Sequence, residues 1–414
     1  MAYEDTTFRR NSDDNHDPAA YRDDTVSGDY RSRRRDLDLG GAGDPSAEQW
    51  RRASAYDEAG KDRIGIHLGW EIVLLVAAGA IGFLLYRLDP DSLQRPALDT
   101  LLIMGAAIGL LTLGAGMSLR AGVPNLALGP IALAGALHYA EQGDNGLLDA
   151  AIPAVAIAAA GGLVVALLVI ALHVPGWAAT LGAGLGVIVF DGLRTAPVQV
   201  QGTYDPSDYA FYLFGGFAFV AVVGAALGSV GPIRRVFGRM RPVGDPAARR
   251  GAAAALPVIV ALVVSSVFAV VAGMLMAAQS TEPIVPGTGL EWTGIAIGTA
   301  LLAGTSAFGR RGGVFGTLLA VAGVTLFLDY SDRQDLHISL FAIGAALIGI
   351  GLVVTRLVET YGRPLPAGAG EEWTAAASTG TTWSPDLPET WSTSTPAAQN
   401  RPDRWDDGPW GTSR

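Results

Sequence analysis

The sequence predicts an all-α polytopic membrane protein of about ten transmembrane helices, some short or broken, with disordered cytoplasmic tails. Three observations predict it. Half of the 414 residues are hydrophobic and only 16% are charged, against about 25% in an average globular chain. Mean hydropathy is +0.33. Charge is also segregated: 25 charged residues crowd into 1–62 and 11 into 363–414, which leaves the 300 residues between sparsely charged. That pattern excludes an ordinary water-soluble enzyme.

Residues 1–62 mix Asp, Arg, Ser, Gly and Tyr without an apolar period. Such a segment buries too little apolar surface to offset its ordering entropy, so a disordered N-terminal tail is expected. It has no apolar core followed by a small-residue cleavage site, so it does not read as a signal peptide. The Arg31–Arg35 cluster sits among acids, which favours a solvated tail over a lipid anchor. Residues 363–414 are rich in Pro, Ser and Thr, with Trp373, Trp383, Trp391, Trp405 and Trp410 interspersed. They read as a second disordered tail.

Between the tails, a transmembrane domain over 63–362 is expected. A bilayer core of about 30 Å takes roughly 20 helical residues. The apolar stretches are 68–86, 98–119, 123–140, 148–172, 177–193, 210–230, 252–277, 292–308, 314–328 and 338–357. The third contains Pro130 and follows Gly122-Val-Pro-Asn, and the eighth and ninth are split by the glycine-rich turn 309–313. Short or broken spans are tolerated where protein or a water-filled cavity shields the backbone, and they commonly mark substrate pathways.

Arginines test the count. With the N-terminal tail inside, the inner connections carry Arg120, Arg234, Arg235, Arg239, Arg241, Arg249, Arg250, Arg310, Arg311, Arg356 and Arg363. The outer loops carry only Arg87, Arg95, Arg194 and Arg333, together with Glu141, Asp144, Asp205, Asp208, Glu282, Asp332 and Asp335. This bias orients ten spans with both tails cytoplasmic. Eight spans with two re-entrant pieces is the competing arrangement.

Several chemistries are excluded. Without cysteine there is no disulfide, thiolate zinc site or cysteine nucleophile. The five histidines are scattered with no i, i+4 pair, so no metal site is expected. The single lysine, Lys61, precedes Asp62, so a phosphate loop of the Gly-Lys-Ser/Thr kind is impossible. The net charge of −10 offers no footprint for nucleic acid. Glu71, Asp149 and Asp191 fall near span ends and read as interfacial, which argues against an ion-coupled mechanism.

The longest inner loop, 231–251, contains Gly244-Asp245-Pro246-Ala247-Ala248-Arg249. Asp suits an N-cap and Pro the first helical position, so a short cytoplasmic helix is expected there. The stretch GRMRPVGDPAARRG resembles a segment of permease subunits of bacterial ABC importers, in the family of the ribose/xylose, branched-chain amino acid and nucleoside permeases. Residues 287–319 are similar to the family's second signature, through Glu291, Ile295, Ala296, Gly304-Thr305-Ser306, Gly312-Gly313 and Gly316-Thr317. Gly122-Val-Pro-Asn125-Leu-Ala-Leu-Gly129 resembles its broken early helix, and Val174-Pro-Gly-Trp-Ala-Ala-Thr180-Leu-Gly182 a family turn. The departures are Arg310-Arg311, Ala307-Phe308 and Arg241-Pro242, at positions where the family has other residues.

The resemblance implies a permease subunit in the plasma membrane that moves a small polar solute, paired with a second permease copy or paralogue. It implies ABC ATPase subunits as partners and an extracytoplasmic solute-binding protein. ATP and Mg would be bound by the ATPase, with no cofactor on this chain and no enzymatic step of its own. Coupling to the ATPase would fall on Gly244, Asp245, Pro246, Ala247, Ala248 and Arg249. Asn125, Thr305 and Ser306 are candidates for the translocation path, with helix–helix hydrogen bonding as the competing role. Glu291 is a candidate for outer docking. A gradient-driven secondary transporter and a non-transporting membrane scaffold are the rival readings.

Overall fold

A computed structural model describes residues 64–229, 252–306 and 313–362. Both tails and the 231–251 loop, with the expected coupling residues 244–249, lie outside the described residues. Each of the ten apolar stretches carries one α-helix: α1 Ile64–Leu88, α2 Ala97–Arg120, α3 Leu128–Gln142, α4 Leu147–Ala171, α5 Gly176–Asp191, α6 Ala210–Ser229, α7 Ala252–Gln279, α8 Leu290–Leu302, α9 Gly316–Arg333 and α10 Leu340–Gly362. Among the described residues six of them, α1, α2, α4, α6, α7 and α10, are long and apolar enough to cross a membrane. The protein is a helical, multi-pass membrane protein. The other four are shorter or more polar: α3, α5 and α8 have 15, 16 and 13 residues, and α9 ends in Asp329, Asp332 and Arg333.

Three of the boundaries that differ from the sequence reading have a visible cause. The third stretch becomes helical at Leu128 rather than near 123. α2 ends with Gly122 at φ 71°, where Gly122 N–H bonds the Leu119 carbonyl and Val123 N–H the Ser118 carbonyl. That paired closure needs a left-handed residue after the helix, and glycine takes the conformation without strain. Pro124 then lacks a backbone donor, and Asn125 Oδ1 accepts from Ala127 N in a tight turn. α8 ends at Leu302 rather than 308 by the same device, with Gly304 at φ 88° and Thr305 N–H on the Ala300 carbonyl. α9 continues to Arg333 because Arg333 pairs with Asp329 at 2.7 Å, one turn away, and with Asp89 at 2.6 Å.

Contacts fix the sense of each helix. α2 and α7 are antiparallel, since Gly114 lies against Ser265 and Gln279 Nε2 donates to the Thr100 carbonyl at 2.9 Å. α3 crosses α7 at close range, with Gly135 facing Val270 and Gly273 facing Ala132. A side chain on either glycine would overlap the opposing carbonyl, so these helices meet backbone to backbone. α5 is parallel to the segment leading into α3, and α10 is parallel to α8, with Gly294 at Gly344 and Gly298 at Leu347. α1 runs parallel to α9 and α6 parallel to α2.

The main contacts survive exchange of α2–α5 for α7–α10. α2 packs on α8 as α7 packs on α3; α2 packs on α9 as α7 packs on α4; α3 packs on α5 as α8 packs on α10. Because α2 and α7 are antiparallel, the two quartets form an inverted repeat. In each quartet the short second helix, α3 or α8, follows an irregular segment, 121–127 or 280–289. α1 joins through α9 and α10, and α6 through α2 and α9.

Candidate functional site

The two irregular segments meet. At the start of α3, the Gly129 N–H donates to Thr293 Oγ1 at 2.8 Å, and Thr293 Oγ1 donates to the Leu126 carbonyl at 3.3 Å. Gly129 lies so close to Gly289 that a Cβ on either would overlap the other's carbonyl. Gly289 is left-handed, at φ 66°, and turns the chain into α8. The positive ends of the two short helices therefore converge on one point, buried within protein.

Asn125 sits at the centre of this junction and is buried. Its Nδ2 donates to Ser265 Oγ on α7 at 2.7 Å, and its own N–H donates to Ser118 Oγ on α2 at 3.0 Å. Ser265 Oγ lies 3.2 Å from the Leu262 carbonyl and Ser118 Oγ 2.8 Å from the Ala115 carbonyl. Thr180 on α5 donates to the Pro124 carbonyl at 2.8 Å. Gly176, opening α5, lies flat against Val123. The irregular segment 121–127 is thus tied to α2, α5, α7 and α8 by polar bonds in an apolar bundle. Helix–helix hydrogen bonding describes Asn125 here.

Thr305 and Ser306 are also buried. Thr305 Oγ1 faces α2 at Gly116, whereas Ser265 faces α2 at Gly114. Positions two apart on a helix point about 200° apart. Asn125 and the Thr305–Ser306 pair therefore flank α2 from opposite sides, and the structure does not bring them together. Glu291 lies half-buried in the first turn of α8, where the helix dipole favours an acid.

Sequence reasoning overlooked a second polar junction. Glu71 on α1 is buried within protein. Its Oε1 accepts from the N–H groups of Phe315 and Gly316 at 2.6 and 3.1 Å, capping α9 from another helix. Next to it, Trp70 Nε1 donates to the Leu302 carbonyl at 2.8 Å, at the end of α8. Gly313 is pressed against the carboxylate, with no room for a Cβ. Asp191 is buried as well, whereas Asp149 is exposed. The signal for Glu71 was the one acid of α1, adjacent to its one Trp. For Ser265 it was the Ser-Ser pair in the most apolar helix, α7.

Among the described residues no group of three His, Asp or Glu side chains gathers to hold a metal. In comparisons with known proteins, no family model matches the chain, and neither a curated protein nor a solved structure matches it.

Proposed function

We propose that this chain is the permease subunit of an ABC import system in the plasma membrane, carrying a small polar solute of the sugar, nucleoside or branched-chain amino acid class. Separate ATPase subunits power it, an extracytoplasmic binding protein delivers the solute, and a second permease copy completes the path. The observation that supports this reading best is the junction at Asn125. Three of the four stretches that carry the family resemblance, 122–129, 174–182 and 287–319, are distant in sequence and are hydrogen-bonded to one another there. Two short helices at corresponding places in an inverted repeat are also a common construction for alternating access around a fixed site.

In this proposal all ten helices cross the membrane and both tails are cytoplasmic. The senses of the helices alternate as ten crossings require. The end of the bundle bearing Glu141, Asp205, Glu282 and Asp335 faces outward, opposite Arg120. Asn125 sets the geometry of the path rather than touching the solute, and Thr305, Ser306 and Glu291 keep the roles expected for them. ATP-driven force enters at residues 244–249.

The test is Ala247→Trp, whose bulk blocks an ATPase surface from approaching. The expected result is loss of solute-stimulated ATP hydrolysis and of co-purification with the ATPase, at normal membrane yield. Asp245→Ala, which removes the cap expected from the sequence, worth about 1 kcal/mol, should be milder. Solute uptake that survives Ala247→Trp rejects the ABC reading. A gradient-driven transporter is then the second reading, and the two buried carboxylates Glu71 and Asp191 favour it.

A further inference from the structure

Asp191, the last residue of α5, has 0% of its surface exposed, and neither of its carboxyl oxygens has a hydrogen-bond partner. The nearest cation is Arg194, whose Nη1 lies 4.0 Å from Oδ1. That guanidinium is turned away. Its Nε and Nη2 grip the two oxygens of Glu141, at the end of α3, at 2.5 and 2.9 Å. Its plane also lies over the Phe190 ring at 4.9 Å. One fixed cation thus stands between two carboxyls and bonds only one of them.

The other titratable groups at this end do not relieve Asp191. His138 on α3 bonds the Ala150 carbonyl at 3.0 Å, and Asp149 on α4 is exposed. Tyr204 and Asp205 lie further along the linker, where Asp205 caps the Ser207 N–H. Among the described residues no cation other than Arg194 comes within ion-pair distance of Asp191. A buried, unpaired carboxylate carries a large desolvation cost, which a proton on the carboxyl removes. The bidentate bond to Arg194 already satisfies both oxygens of the Glu141 carboxylate, so the proton does not belong on Glu141.

We propose that Asp191 is a proton-binding site, filled while Arg194 grips Glu141 and emptied when the guanidinium turns back to Asp191. On release, the Asp191 O–H bond breaks and its proton passes to solvent. The carboxylate left behind then draws Nη1 toward itself. The α3 end loses its tie to the linker after α5 in the same step, so occupancy by a proton sets how tightly α3 and α5 are clasped. This goes beyond the transport reading and does not depend on it.

The full-length chain in lipid bilayers, followed by infrared difference spectroscopy through a pH titration, tests this. The native chain is expected to show a carboxylic-acid carbonyl stretch that shifts in D2O, fades on alkalinisation and is missing from Asp191→Asn. In Glu141→Gln the guanidinium has only Asp191 to pair with, so the band should be lost already at neutral pH. Absence of any Asp191-dependent band in the native chain overturns the proton site. A band unchanged in Glu141→Gln overturns the exchange of Arg194. A spin label on Gln142→Cys, beside the clasp and free of background thiols, gives a reading without altering the clasp. Its mobility should rise with pH, and constant mobility overturns the exchange as well.

Discussion

The side-chain amide of Asn125 donates to the hydroxyl of Ser265 across 2.7 Å, joining the break before α3 to the middle of α7, 140 residues away. Both groups are buried. Removing either partner strands the other, at about 1–3 kcal/mol. Asn125→Ala and Ser265→Ala are each expected to destabilise the folded protein, and the double variant by less than their sum. The coupling should fall near 0.6–1.7 kcal/mol, the range of interhelical hydrogen bonds in membranes. Unfolding in mixed micelles measures it, and strict additivity would show that the bond contributes nothing.

At Gly129 the constraint is steric. A methyl group there would overlap the Gly289 carbonyl and crowd the Thr293 backbone. Gly129→Ala is expected to cost roughly 1–3 kcal/mol or more, because two backbones rather than one flexible side chain must move. Gly182→Ala on α5 meets nothing within 4 Å and should be neutral. Melting temperatures of the two variants in detergent compare them directly. Equal behaviour would contradict the close approach of α3 and α8.

Glu71 offers a test by hydrogen exchange. Glu71→Gln keeps an acceptor for the Phe315 and Gly316 amides, while Glu71→Leu removes it. The leucine variant should exchange amides at the start of α9 on the order of tenfold faster, consistent with a lost bond of 1–3 kcal/mol. The glutamine variant should stay near the native rate. Equal protection in all three proteins would mean that α9 does not rely on this cap.

Orientation is checked by labelling. The chain contains no cysteine, so single thiols report without background. Gln142→Cys, on the acid-rich end, is expected to react with an impermeant reagent in intact cells, and Ala247→Cys only after lysis. The reverse pattern inverts the topology.

The helices were legible because each apolar stretch outruns the charges around it, and ten such stretches became ten helices. Their ends were harder. The late start of α3 and the early stop of α8 depend on Gly122 and Gly304 taking left-handed conformations, and a sequence rich in glycine does not say which ones do. The extension of α9 depends on Asp89, which comes from another part of the chain. Asn125 was visible as a polar residue in a broken helix. Its partners were not, since Ser265, Thr180 and Thr293 are near only after folding. Glu71 and Asp191 lie near span ends in the sequence, which gives no sign that folding buries both of them within protein.

The bond from Glu71 to Phe315 spans 244 positions in the chain. During synthesis α1 leaves the ribosome well before α9, and at about 5–20 residues per second the delay is on the order of 10–50 s. Through that interval the carboxylate has no backbone amide to hold. α1 therefore enters the membrane carrying a polar group that its own helix cannot satisfy, and it has reason to linger beside the insertion machinery or in the headgroup layer. Docking of the newly made α9 then closes the bundle late in biogenesis.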